Sequence, residues 1–129
     1  MAVTIACVAF DCSDALTVGR FWSAAVERPL DPGATSEFAS IGFAERRTRN
    51  GWGKVELVDH PTWMFAKVPE QKASKNRLHL DVIAPDLEAE IARLVDLGAT
   101  RVEDKGEYGY TWTLMTDPEG NEFDIGQAL

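Results

Sequence analysis

Basic residues are scarce in this chain. Its 129 residues hold 13 lysines and arginines against 21 aspartates and glutamates, a formal net charge of −8. Nucleic-acid backbones are bound by clustered Lys and Arg, so this balance argues against a nucleic-acid partner. Long apolar runs are missing too. The N-terminal stretch TIACVAF stops at Asp11, nothing approaches the ~20 apolar residues of a membrane helix, and no basic leader precedes it, so neither a membrane partner nor an export signal is expected. Only two cysteines are present, Cys7 and Cys12. On one extended strand they would lie about 16 Å apart, beyond the ~7 Å reach of a disulfide. Two thiols without an export signal point to the cytoplasm. Histidine is equally rare, with His60 and His79 alone.

What is present is a packable core. Hydrophobic residues make up 45% of the chain and include four tryptophans, enough for one domain spanning residues 1–129. Residues 4–11 (TIACVAFD) read as an apolar strand. Ser13 or Asp14 caps a helix on which Val18, Phe21, Trp22 and Ala25 recur at helical spacing. After the PLDPG break, three strands are expected at 37–44, 52–58 and 63–68, the first two separated by the Arg-rich turn RRTRNG. The polar segment PEQKASK follows. The order then repeats. NRLHLDV is a strand, and Asp86 caps a helix with Leu87, Ile91, Leu94 and Val95 on its buried face, ended by Gly98. TRVED, YTWTLMT and EFDIG are the remaining strands, the last two joined by the DPEGN turn. A β-α-β-β-β pattern therefore occurs twice, in about 4–68 and 77–126. Cys7 and His79 both stand seven residues before the aspartate that opens a helix.

NRLHLDV carries two different faces. Leu78, Leu80 and Val82 alternate with Arg77, His79 and Asp81. With the leucines turned to a helix, the polar triplet lines the other side of the sheet. Asp124 likewise alternates with Phe123 and Ile125. An inward carboxylate is costly unless paired or metal-bound, so Asp124 meets either a metal ion or Arg77 in a salt bridge.

These stretches, VAFDCSD…FWSAAV, KNRLHLDV…DLEAEIARLVDLGAT and above all YTWTLMTDPEGNEFDI, resemble the glyoxalase-like branch of the vicinal oxygen chelate superfamily, the glyoxalase, bleomycin-resistance and dioxygenase group. The resemblance covers nearly the whole chain. It implies an α+β fold of paired βαβββ modules, a cupped mixed sheet with helices outside, and a homodimer. In metal-using relatives the first and last strands of each module carry the ligands. Carried over, those places are Cys7, roughly Ala66, His79 and Asp124. His79 and Asp124 suit Zn²⁺, Mn²⁺, Ni²⁺ or Fe²⁺ in type. Cys7 departs from the usual His or Glu and reads as a third ligand or as a small buried thiol. Ala66 offers no donor.

Two functions follow. In one, the cup binds a small organic molecule, with Arg77, His79, Asp124, Trp52 and Trp112 as contacts, and sequesters a cationic aromatic compound as bleomycin-resistance relatives do. In the other, a divalent ion supports lyase or isomerase chemistry, with Glu122 or Asp81 moving the proton. Tyr108, Tyr110 and Trp112 cluster around a glycine as a mouth, and Lys75 and Arg77 would favour an anionic ligand. If the acidic balance serves the ligand, Asp11, Asp81, Glu122 and Asp124 outnumber Arg77 in the cup.

Overall fold

The computed structural model describes residues 2–44 and 60–129. The expected strand at 52–58, with Trp52, and Arg46, Arg47 and Arg49 lie outside the described residues. The chain divides into two compact units, Met1–Gln71 and Lys72–Leu129, with the break in the PEQKASK segment. The architecture is α+β, a three-stranded and a four-stranded mixed sheet with a helix after the first strand of each unit.

In the first unit β1 (Cys7–Cys12) leads into α1 (Ala15–Ala25), then β2 (Phe38–Ile41) and β3 (Thr62–Lys67). Asp14 caps α1, its side chain accepting from the amides of Leu16 and Thr17. The sheet order is β1-β3-β2, with β1 parallel and β2 antiparallel to β3. Phe10, Trp63 and Phe65 turn towards α1, where Phe10 and Trp63 each pack against Trp22. Alternation leaves Cys7, Ala9 and Asp11 of β1, with Met64 and Ala66 of β3, on the other face.

The second unit runs β4 (Leu80–Ala84), α2 (Leu87–Leu97), β5 (Thr100–Glu107), β6 (Tyr110–Thr116) and β7 (Glu122–Gln127). Its order is β4-β7-β6-β5, with only the β4–β7 pair parallel. Asp86 caps α2, and Gly98, at φ 120, ends it in the left-handed conformation. Ile91 and Leu94 of α2 are buried, as are Thr113 and Met115 of β6 and Phe123 and Ile125 of β7. A bulge between Arg101 and Glu103 re-phases β5. Arg101 and Asp104 then meet on the helix side, where Arg101 reaches Glu88 of α2 and Thr113 donates to Asp104.

The structure departs from expectation at several places. β2 ends at Ile41, not residue 44, and pairs with β3 as β6 pairs with β7. Leu30 makes an isolated antiparallel bridge to Ile41. β1 begins at Cys7 instead of Thr4. β4 begins at Leu80, one residue after His79, so Leu78 escapes the sheet and stands 73% exposed. Val95 is 44% exposed because Ile91 and Leu94 already fill the contact with the sheet. Asp81 faces Asp124 as Ala9 faces Met64, so Met64 takes the place assigned to Ala66.

Candidate functional site

The four-stranded sheet of the second unit has an open face opposite α2. It is a concave cleft of about 950 Å³, and the described residues that line it all belong to this unit. The strand register arranges the face in rows. At one end Glu122 pairs with Thr116, and His79 precedes the first residue of β4. The next row is Asp81, Asp124, Leu114 and Glu103, and beyond it come the pairs Ile83–Gly126 and Trp112–Lys105. One end of the cleft is thus acidic, and the other carries apolar side chains beside Lys105.

At the acidic end His79 Nε2 lies 3.2 Å from Asp81 Oδ1 and 3.3 Å from Asp124 Oδ2. These three donors all fall within 4.8 Å of one another. Alternation explains two of them, since Asp81 and Asp124 are cross-strand partners with both side chains on the open face. His79 joins from just before the strand. Burial raises the Asp124 carboxyl above the ordinary range. The His79 imidazole pulls it down, and Asp81, a like charge beside it, adds to the rise. The space between Nε2 and the carboxylate oxygens of Asp81 and Asp124 would take a cation. One imidazole nitrogen and two carboxylates suit a divalent first-row ion and leave coordination positions for a ligand.

Glu122 is placed differently. Its Oε1 takes the Lys72 ammonium at 3.0 Å and its Oε2 takes the Asn76 amide at 3.0 Å. Burial pushes this carboxyl up, but those donors outweigh it and hold the group below its usual range. Glu122 therefore ties the segment before β4 to β7. The cations of the cleft are Lys75 and Lys105. Arg77 is exposed and outside the lining, and Asp124 pairs with His79, so of the two partners open for Asp124 the Arg77 bridge is not formed. Asp11 belongs to the first unit's sheet. Three acids and two lysines line the cleft, more balanced than the four acids against one arginine expected from sequence.

Trp112 lines the apolar end with Tyr110, Leu114, Val102 and Ile83, whereas Tyr108 does not. Tyr108 sits at the β5–β6 hairpin tip with φ 52, in a conformation suited to a tight hairpin. Cys7 is an exposed residue of β1 in the first unit, and neither cysteine is in a disulfide. Sequence reading gave Asp81 a proton-moving role and did not count it among the donors. Its spacing of two from His79 was the available signal. Lys105 and Val102 could not be placed, because the bulge decides which residues of β5 face the cleft.

A family model described as the glyoxalase-like domain matches residues 7–126. The chain belongs to the glyoxalase-like domain family. Similar solved structures share its fold at low identity. One is a glyoxalase/bleomycin resistance protein/dioxygenase family enzyme from Burkholderia phytofirmans, with 13% identity, TM-score 0.68, and 96% of this chain and 98% of that one covered. Another is the lactoylglutathione lyase of Agrobacterium tumefaciens, with 10% identity, TM-score 0.62, and 99% and 96% covered. A third is the bleomycin-binding protein of Streptomyces verticillus, solved with copper(II)-bleomycin, with 13% identity, TM-score 0.59, and 100% and 99% covered. No curated protein sequence matches significantly. The glyoxalase-like chain has, among its described residues, no helix long and apolar enough to cross a membrane.

Proposed function

We propose that this glyoxalase-like protein binds a small organic molecule on the open face of its second sheet, anchored at His79, Asp81 and Asp124. The observation that carries the reading is the pairing of that donor cluster with an apolar wall in one cleft of about 950 Å³. The cluster fits a divalent ion. Such an ion, held by His79, Asp81 and Asp124, would serve as a Lewis acid towards oxygens of the ligand, the chemistry of a lyase or isomerase. The protein's own groups supply the rest. Asp81, the more exposed carboxylate, is the one placed to exchange a proton with solvent. Glu122, held by Lys72 and Asn76, keeps the rim in place.

A second reading is favoured by Trp112 and Tyr110. Aromatic faces beside an acidic pair also suit a ligand that is itself cationic, taken without a metal through ion pairing and cation–π contact. The bleomycin-binding relative supports sequestration as a role for this fold. Metal analysis of untagged protein after loading with Zn²⁺, Mn²⁺, Ni²⁺ and Fe²⁺ separates the two. About one ion per chain, lost in Asp124→Ala, supports the metal reading. No ion retained, with cationic aromatic compounds binding to the apo protein, supports sequestration. The homodimer and the cytoplasmic location remain part of this proposal, tested by sedimentation and by cell fractionation.

A further inference from the structure

Gly126, the penultimate residue of β7, is a glycine that neither backbone conformation nor crowding requires. Its φ is not positive. A Cβ built on it would touch nothing nearer than the Thr111 carbonyl oxygen at 4.0 Å. The equivalent residue of the first module is Ala66, the partner of Asp11 as Gly126 is of Ile83, so this repeat accepts a methyl group at that position. Glycine inside a strand loses packing and costs conformational entropy, and it commonly marks the close approach of another molecule. Here the missing side chain would have pointed into the cleft.

Its neighbours define a slot. Ile83 pairs with Gly126 across one strand boundary. On the other side, continuing the β6–β7 register beyond Thr113 and Ile125 brings Trp112 alongside. Ile83 and Trp112 are thus two strand spacings apart, about 9.6 Å, with bare backbone between them. Ile83 is 74% exposed, an apolar side chain left uncovered by the described residues of its own unit. Asp124 lies two residues along β7, about 7 Å away, on the same face.

We propose that Gly126 is a specificity-determining gap that admits a planar aromatic ring. The ring lies over the Gly126 backbone between Ile83 and the face of Trp112, and a cationic substituent on it reaches Asp124. The inference deepens the small-molecule reading above and rests on it. Flat rings stack on tryptophan at offset geometry and gain most when one face is already desolvated, and the acid pair supplies the charge complement for the substituent.

Two amines of equal charge test it, with EDTA present to keep the acid pair clear. They are 2-naphthylmethylamine, which is flat, and cyclohexylmethylamine, which is puckered. Binding is followed through the amide resonance of Gly126 in ¹⁵N-labelled protein. The naphthyl amine is expected to shift that resonance and to bind at least about tenfold more tightly, a difference of about 1.4 kcal/mol. Gly126→Ala should weaken it about tenfold and Gly126→Val further, with the melting temperature of Gly126→Ala no lower than that of the wild type. Neutral 2-naphthalenemethanol should still shift Gly126 in Asp124→Asn, which separates failure of the acidic anchor from failure of the slot. Equal affinity for both amines, no shift of Gly126 by either, or wild-type binding in Gly126→Val would overturn the proposal. So would a changed oligomeric state of Gly126→Val with unchanged binding, which would give the slot to a second copy of the chain.

Discussion

The two modules spend their sheets in different ways. In each, one face packs on a helix, and there the residues correspond in kind. Phe65 and Phe123 are buried at neighbouring points of β3 and β7, and Asp14 and Asp86 cap the two helices. On the opposite faces the correspondence fails. His79, Asp81 and Asp124 occupy the positions held in the first module by Cys7, Ala9 and Met64. The helix side is constrained by packing, which any loss of volume disturbs. The open side is free of that packing against a helix, so its residues are available for chemistry. Only the second module has assembled a polar cluster there among the described residues.

The largest effects should fall on the shared face. Phe65→Ala and Phe123→Ala are each expected to cost about 3–5 kcal/mol, measured by urea unfolding. A cost below ~1 kcal/mol in either would break the equivalence of the two cores. On the divergent face the order reverses. His79→Ala should weaken Mn²⁺ binding by more than about tenfold in calorimetry, whereas Cys7→Ala should change it by less than about twofold. Comparable losses in both would mean that the first module contributes equally.

Much of this was legible in advance. Alternation in EFDIG and YTWTLMT fixed which side of β6 and β7 meets the helix, and the two capping aspartates set the period of the repeat. What resisted reading depended on registry. The bulge after Arg101 determines that Lys105 and Val102 enter the cleft while Asp104 turns to Arg101. Leu78 looked like part of the apolar stripe, but β4 pairs with β7 only from Leu80 onward. The fates of Arg77 and Glu122 were likewise hidden, because no local pattern reports a contact such as Lys72 to Glu122, 50 residues away.

Smaller differences sharpen the comparison at the helix starts. Asp14 accepts two amides, Leu16 and Thr17, while Asp86 accepts one, Ala89. Asp86→Ala should cost about 1 kcal/mol in thermal or urea unfolding. For Asp14 the pH dependence is the more telling readout. The Thr17 amide holds its carboxyl below the usual range, with desolvation opposing and the Leu16 amide assisting. A depressed native pKa stabilises the fold above the ordinary Asp range, and that benefit fades as pH falls through the native value. The stability gap between wild type and Asp14→Ala should therefore be full at neutral pH and close in acid. A gap that widens as pH falls would contradict the sign.

The central claim is that the chemistry of this glyoxalase-like chain resides at the His79–Asp81–Asp124 cluster. Paramagnetic broadening by substoichiometric Mn²⁺ tests it most directly, read as loss of amide signals in ¹⁵N-labelled protein. The account predicts that the signals of His79, Asp81 and Asp124 disappear first and recover in Asp124→Asn. Broadening centred on other residues, or broadening that persists unchanged in Asp124→Asn, would contradict it.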